Sequence, residues 1–164
     1  MEAGTVPGMQ ADTLVRSLDR HYLIRTSWVI GNGNNFVRTM AGLADRGISP
    51  GVVDDQVGRL TFTSEIVRAV SHLLEVRAPY GTYNVTNSGP AVSWADVATD
   101  VFEARGRTAS DVSRITTEVY AAGKSLAPRP RHSVLSLAKI EATGFVPVEA
   151  SVSLKEYLSG LRFR

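Results

Sequence analysis

Cysteine is absent from the 164-residue chain, and histidine occurs only three times. Without cysteine there can be no disulfide, no thiolate metal ligand and no cysteine nucleophile. His21, His72 and His132 are too far apart to form a helical metal-binding pair, so we expect no metal site. No apolar run approaches the roughly 20 residues that cross a membrane, and no signal-like segment begins the chain. These absences predict a cytoplasmic protein without a membrane partner.

Charge of one sign is also scarce. Lys and Arg together number 18 and Asp and Glu 16, which leaves a formal net charge of +2. So small an imbalance is unlike the basic stripe of a nucleic-acid-binding domain, and we predict no nucleic-acid partner. With 43% hydrophobic and 21% charged residues, the composition is typical of one globular domain.

The spacing of apolar residues predicts alternating helices and strands. Residues 1–10 are small and contain Gly and Pro, so we expect a frayed or artificially added N-terminus, with the domain over 11–164. Helical periodicity and capping residues predict helices over 11–20, 35–46, 63–76, 94–104, 136–142 and 153–161. Thr63 or Ser64 is the predicted cap of the third of these helices, and Ser93 that of the fourth. Strand composition predicts strands over 22–29, 52–53, 81–86, 91–92 and 112–117. The alternation indicates an α/β fold.

The most informative stretch is 22–36, where an apolar strand runs into a polar, glycine-flanked loop. Ligand sites of α/β proteins form at the carboxyl ends of strands, and the indole of Trp28 could stack there on a sugar or nicotinamide, or could belong to the core. The Gly31-Asn-Gly33 spacing imitates a dinucleotide fingerprint. However, Phe36 stands at the third glycine position and no acidic residue follows at the expected distance, so we predict no cofactor phosphate loop here.

Three further polar residues have both a structural and a functional interpretation, and a fourth has only a structural one. Asn35 can cap the second helix or face a substrate diphosphate. Gln56 can belong to a polar turn or read a sugar hydroxyl or phosphate oxygen. Arg129 lies between two prolines and is suited to bidentate diphosphate contact, although loop arginines are usually solvated. Arg25, inside a strand, is interpreted as the structural partner of a carboxylate.

Five motifs occur in order: 25–31 (RTSWVIG), 35–36 (NF), 53–58 (VDDQVG), 93–94 (SW) and 129–135 (RPRHSVL). Together they resemble the C-terminal half of the dTDP-4-dehydrorhamnose reductase family, over residues 11–161. That family belongs to the extended short-chain dehydrogenase/reductases and reduces the 4-keto group of a dTDP-linked sugar with NADPH or NADH. The resemblance implies the C-terminal part of a Rossmann-like fold, a small mixed sheet with flanking helices. It also implies a dTDP-sugar contacted by Trp28, Asn35, Gln56 and Arg129, and a cofactor contact by Ser27.

The family's glycine-rich cofactor loop and catalytic Thr/Ser, Tyr and Lys precede the matched region, so we assign no catalytic residue. Residues 120–124 (YAAGK) show the Tyr-x-x-x-Lys spacing, but the glycine weakens the helix it needs and we interpret it as coincidence. The chain is therefore expected to be inactive and cofactor-free alone. A missing N-terminal cofactor domain or a partner chain would complete it, and an exposed sheet edge could also support a homodimer. The alternatives are another nucleotide-sugar epimerase or ketoreductase fragment, or a non-catalytic interaction or regulatory module.

Overall fold

The computed structural model describes residues 7–123, 127 and 129–161. Its helices are α1 Pro7–Arg16, α2 Phe36–Asp45, α3 Thr63–Glu75, α4 Trp94–Ala104, α5 Thr117–Ala121, α6 Ala138–Glu141 and α7 Ala150–Gly160. Its strands are β1 Tyr22–Arg25, β2 Val29–Ile30, β3 Gly51–Val53, β4 Val57–Gly58, β5 Thr61–Phe62, β6 Gly81–Asn84, β7 Val92–Ser93 and β8 Ser113–Ile115. The predicted α/β alternation is confirmed.

The strands form short pairs. β1 with β6, β2 with β5 and β3 with β8 are parallel, whereas β4 and β7 are antiparallel. Parallel strands need crossover connections, and the connection between the paired strands β2 and β5 contains α2. The predicted small mixed sheet is thus present as separate two-stranded ladders.

Several local predictions differ from the structure. The first helix begins at Pro7, within the residues expected to be frayed, and ends at Arg16, before the predicted residue 20. The single strand predicted over 22–29 is interrupted after Arg25, because Trp28 has a positive φ of 49° that turns the chain before β2. A positive φ at a bulky residue is unusual and requires support from its surroundings. The cap predicted for α3 at Thr63 or Ser64 is wrong: Phe62 occupies the N-cap position and provides no side-chain hydrogen bond.

Other local predictions are confirmed. Ser93 caps α4 in a reciprocal capping box with Asp96. Asn35 caps α2. Arg25 pairs with a carboxylate, that of Asp12 in α1, at 2.5 Å.

The apolar side chains form two clusters. The larger cluster packs α2, α4 and α7 against β2, β3 and β5, and the smaller one packs α3 against β6 and the segment around α6. Asn87 is fully buried and links them, because its Oδ1 accepts from the Phe62 amide (2.9 Å) and its Nδ2 donates to the Val148 carbonyl and Ser153 Oγ (both 3.0 Å). Satisfied buried amides of this kind fix the arrangement of the elements they join.

Candidate functional site

A stack of aromatic rings surrounds Trp28, which lies between β1 and β2. The rings of Trp28 and Trp94 are 3.7 Å apart between centroids and inclined by 15°, and Phe36 approaches Trp94 at 4.6 Å. Gly58 lies directly against Trp28: a Cβ at position 58 would be 2.6 Å from the indole Cε2. Because Trp94 occupies one face of the Trp28 ring, a ligand could contact only its remaining exposed surface. The stack therefore forms a rigid wall.

Ser27, which precedes this wall, has an unpartnered hydroxyl. Its Oγ is buried and accepts or donates no hydrogen bond among the described residues, while its carbonyl accepts from Thr61 Oγ1 at 2.6 Å. A buried hydroxyl without a partner costs about 1–3 kcal/mol. Because this oxygen is buried, a ligand atom could bond it only if the side chain rotated or its surroundings moved.

Asn35 is held by protein partners on both sides of its amide. Its Oδ1 accepts from the Arg38 amide at 3.0 Å, and its Nδ2 donates to the Gly31 carbonyl (2.8 Å) and Tyr157 Oη (2.7 Å). Tyr157 in turn donates to the Gly31 carbonyl at 2.9 Å. This geometry supports the capping interpretation, since a ligand contact would require Nδ2 to leave one of these partners.

Gln56 is buried and points toward the N-terminus of α5, where its Nε2 donates to Thr117 Oγ1 at 3.0 Å. The neighbouring Asp55 accepts from the same hydroxyl at 2.6 Å and from the Thr117 amide at 2.8 Å. The hydrogen bond from the Thr117 hydroxyl is the main cause that lowers the pKa of Asp55, and Arg131, 3.8 Å away, adds to it. The turn that carries Gln56 is thereby fixed to α5.

The segment 129–133 runs beside this turn. The Val57 amide donates to the Arg131 carbonyl and the Ser133 amide donates to the Val57 carbonyl, both at 2.8 Å. Arg129 is exposed and makes no hydrogen bond or ion pair with a residue that the structure describes. Because β4 also carries Gly58, the fold brings Trp28, the turn of Gln56 and the segment 131–133 close together, and Arg129 precedes that segment by two residues.

The glycine loop after β2 packs against the start of α3. A Cβ at Gly31 would lie 2.6 Å from Thr63 Cγ2, so close packing against α3 explains this glycine. The loop is closed by Asn35 and Tyr157.

Two other classes of site find no support among the residues that the structure describes. No group of His, Asp and Glu residues could hold a metal ion, and none of the helices is long and apolar enough to cross a membrane. In the Tyr-x-x-x-Lys sequence, α5 ends at Ala121, directly after Tyr120, and Lys124 lies outside the described residues.

The sequence interpretation missed three residues of this region. Thr117 and Tyr157 are 61 and 122 positions from the side chains they hold, and no local signal marks them. Trp94 was recognised only as part of a motif at a helix start. Its pairing with Trp28 could have been suspected, because the chain has only two tryptophans and both fall in the shared motifs.

Comparison with known proteins gives consistent results. The family described as RmlD substrate binding domain matches residues 9–163. The spore coat polysaccharide biosynthesis protein SpsK of Bacillus subtilis (strain 168) is 42% identical over 137 residues, which cover 83% of this chain and 46% of that protein. The dTDP-4-dehydrorhamnose reductase of Aggregatibacter actinomycetemcomitans is 38% identical over 145 residues, covering 81% and 48%.

A solved structure is also similar. The dTDP-4-dehydrorhamnose reductase of Bacillus anthracis str. Ames, in complex with NADP, superimposes with a TM-score of 0.80 at 29% identity, covering 92% of this chain and 52% of that one. These matches confirm the predicted resemblance and the extended short-chain dehydrogenase/reductase fold. The chain spans about half the length of the curated relatives it matches.

Proposed function

Because the chain belongs to the RmlD substrate binding domain family, we propose that it is the substrate-binding half of a dTDP-4-dehydrorhamnose reductase. The observation that supports the proposal is the pairing of segment 131–133 with β4, the strand whose Gly58 packs against Trp28, because the exposed Arg129 lies two residues before this pairing. A guanidinium group can bind a diphosphate through two hydrogen bonds, and an aromatic surface can pack against a sugar, so both parts of a nucleotide-sugar would find partners. The complete enzyme would reduce the 4-keto group of dTDP-4-dehydrorhamnose.

Each candidate residue has a proposed role. Arg129 binds the diphosphate, Gln56 and the exposed surface of Trp28 contact the sugar, and the Ser27 hydroxyl bonds the nicotinamide part of the cofactor. Asn35 contributes mainly through the helix it caps, and direct contact with substrate would require it to release Tyr157. None of these groups replaces the proton donor that ketone reduction needs, so the chain alone is inactive.

The cofactor enters this proposal only through the complete enzyme. The Bacillus anthracis relative was solved with NADP, which supports NADPH or NADH as the hydride source. We infer that this chain does not hold the cofactor alone, because its glycine loop packs against α3 instead of forming a phosphate cradle. A cytoplasmic location remains a prediction.

Calorimetric titration of the chain with dTDP-L-rhamnose, dTDP and NADPH in separate experiments tests the proposal. We expect both dTDP ligands to bind and NADPH not to bind. Arg129→Ala should weaken dTDP binding by about 10- to 100-fold, the loss expected for a charged hydrogen bond. Arg46→Ala, which removes an exposed arginine at the end of α2, is the matched control and should bind as the wild type does.

Two results would contradict the proposal. Absence of dTDP binding would favour a non-catalytic interaction module. Equal affinity of the wild type and Arg129→Ala would remove the diphosphate role from segment 129–133.

A further inference from the structure

Three polar side chains meet beyond the carboxyl ends of β3 and β8. These two strands are parallel neighbours, and the Asp54 amide donates to the Ile115 carbonyl at 3.0 Å where the ladder ends. Asp55 and Gln56 follow β3, and Thr117 follows β8 by two residues. Ligand sites of α/β sheets form outside this edge. The hydrogen bonds among these three side chains therefore bear on what the edge can recognise.

The chemistry of Asp55 sets the direction of the first hydrogen bond. An ionised carboxylate accepts hydrogen bonds and donates none. The hydrogen bond from the Thr117 hydroxyl is the main cause that lowers the pKa of Asp55, so the carboxylate is ionised at neutral pH. The contact of 2.6 Å between Thr117 Oγ1 and Asp55 Oδ1 therefore uses the single hydrogen of the hydroxyl. Toward any other neighbour, Thr117 Oγ1 acts as an acceptor.

This direction fixes the orientation of the Gln56 amide. The atom that lies 3.0 Å from Thr117 Oγ1 has to be the donor Nε2 and not the acceptor Oε1. The flipped amide would place two acceptors in contact and leave the amide hydrogens without this partner, which is unfavourable at a buried residue. Asp55 thus determines, through one hydroxyl, which arm of the Gln56 amide is left for a ligand.

That arm carries an oxygen without a partner. Gln56 Oε1 makes no hydrogen bond with a residue that the structure describes. Among these residues, the enclosed oxygens that have no partner belong to Asp12 and Ser27, so Oε1 keeps access to solvent although Gln56 is only 7% exposed. Gly58, two residues further along the chain, packs against Trp28. The chain therefore presents an acceptor atom close to the aromatic wall.

Local structure does not need the Thr117 hydroxyl for another purpose. Thr116 is the N-cap of α5, and its own hydroxyl accepts from the Val119 amide at 3.3 Å. The turn is also held without the Thr117 hydroxyl, because the Thr117 backbone amide donates to Asp55 at 2.8 Å. The separate consequence of this hydroxyl is the orientation of Gln56.

We propose that Thr117, held by Asp55, is a positioning residue that orients the Gln56 amide so that Oε1 accepts a hydrogen bond from a hydroxyl of the substrate sugar. Thr117 acts through Gln56 and does not touch the ligand. A diphosphate oxygen is itself an acceptor and would be repelled by Oε1. The inference rests on the proposed function, and it selects a sugar hydroxyl over a phosphate oxygen as the group that Gln56 recognises.

Calorimetric titration of the chain with dTDP-L-rhamnose and with dTDP tests this role. Thr117→Val should weaken dTDP-L-rhamnose binding by about 3- to 10-fold and leave dTDP binding within about twofold, because one neutral hydrogen bond to the sugar is lost. Thr117→Ser keeps the hydroxyl and should bind both ligands as the wild type does. Thr99→Val is the matched control, since it removes a hydroxyl that bonds the Ala95 carbonyl within α4.

A double variant separates positioning from a general structural effect. Gln56→Leu should cause the same selective loss for dTDP-L-rhamnose. Adding Thr117→Val to Gln56→Leu should lower the affinity no further than about twofold, because Thr117 acts through Gln56. A purely structural role of Thr117 would instead lower the affinity in both backgrounds and for both ligands. Retained dTDP binding shows that each variant is folded.

Fluorinated ligands test the direction of the proposed hydrogen bond. The probes are analogues of dTDP-L-rhamnose in which one ring hydroxyl at a time is replaced by fluorine, which cannot donate. The analogue altered at the hydroxyl that faces Gln56 should bind the wild type about 3- to 10-fold more weakly than dTDP-L-rhamnose does. Gln56→Leu should bind this analogue and dTDP-L-rhamnose equally.

Three results would overturn the inference. They are equal weakening of dTDP and dTDP-L-rhamnose by Thr117→Val, additive losses in the double variant, and a wild-type affinity that no fluorine substitution reduces. Failure of the proposed function gives a different result, because the wild type would then bind neither ligand and both proposals would be rejected. If dTDP-L-rhamnose binds and neither Thr117→Val nor Gln56→Leu weakens it, the substrate-binding role is kept and the role of Thr117 is rejected.

Discussion

α4 and α3 are both amphipathic, but only α4 has its apolar side chains covered. In α4 the side chains of Val97, Val101 and Phe102 are buried between α2, α7 and β3. In α3 the inner residues are buried while Val67 and Leu74 are mostly exposed. The difference shows that an apolar pattern predicts which side chains favour burial, and that the neighbouring elements decide whether burial occurs.

The largest expected effect on stability concerns α4, whose apolar side chains are covered. Phe102→Ala should lower the free energy of unfolding by about 3–5 kcal/mol, because it leaves a cavity in a fully buried position of α4. Urea denaturation measures the loss. Val152→Ala, at an exposed position of α7, should change it by less than about 0.5 kcal/mol. A loss below about 1 kcal/mol for Phe102→Ala would show that α4 is not enclosed.

Two neighbouring leucines of α3 test the same contrast within one helix. Leu73→Ala should cost about 2–5 kcal/mol, whereas Leu74→Ala should cost less than about 1 kcal/mol, because only Leu73 is buried in this chain. Each variant is the control for the other, since both replace a leucine by alanine in the same helix. Equal losses in urea denaturation would mean that the outer flank of α3 is already covered.

A smaller loss of stability is expected at Gly58 of β4, which packs against Trp28 at the candidate site. Gly58→Ala should destabilise the chain by about 1–3 kcal/mol, because its Cβ overlaps the Trp28 ring that stacks on Trp94. It should also weaken dTDP-L-rhamnose binding in calorimetry. Gly160→Ala is the control, since no atom lies within 4 Å of its added Cβ. If Gly58→Ala bound the ligand unchanged, the Trp28 wall would have no part in recognition.

The smallest effect concerns the helix caps. α4 begins with a side-chain capping box, whereas α3 has no side-chain hydrogen bond at its N-cap. Burial alone would raise the pKa of Asp96, but hydrogen bonds from Ser93 and from Arg114 outweigh it and lower the pKa. The stabilisation from a lowered carboxyl pKa is present above the unfolded value of about 3.9 and is lost as the pH falls through the folded value. Asp96→Asn should therefore cost about 0.5–1 kcal/mol at neutral pH and reduce the loss of stability below about pH 4.

Urea denaturation from pH 2 to 7 measures this prediction. Ser93→Ala removes the hydroxyl side of the same capping box and should cost about 1 kcal/mol at neutral pH. Parallel stability curves for the wild type and Asp96→Asn would show that Asp96 does not contribute through its charge.

Local sequence signals predicted much of the fold. Ser93 was identified as a cap and Asn35 as either a cap or a diphosphate contact, because short polar side chains before an apolar periodicity are typical N-cap residues, and both cap their helices in the structure. The break after Arg25 was not predicted. The positive φ of Trp28 is supported by packing against Gly58 and Trp94, and nothing within the strand itself indicates them.

The candidate site was predictable in outline and not in its hydrogen bonds. The motifs identified the regions of Trp28, Gln56 and Arg129, and the fold brings these regions together. The structure also shows that the amides of Asn35 and Gln56 already have protein partners. Contacts over such sequence separations depend on tertiary packing, which one sequence without its fold does not reveal.

The stacking of Trp28 on Trp94 has an optical consequence. These are the only two tryptophans of the chain, and their rings are 3.7 Å apart. All tryptophan fluorescence of the molecule therefore originates at the candidate site, and two indoles this close couple their electronic transitions in circular dichroism. The chain thus contains an intrinsic reporter whose signal changes only when this wall, or what lies against it, changes.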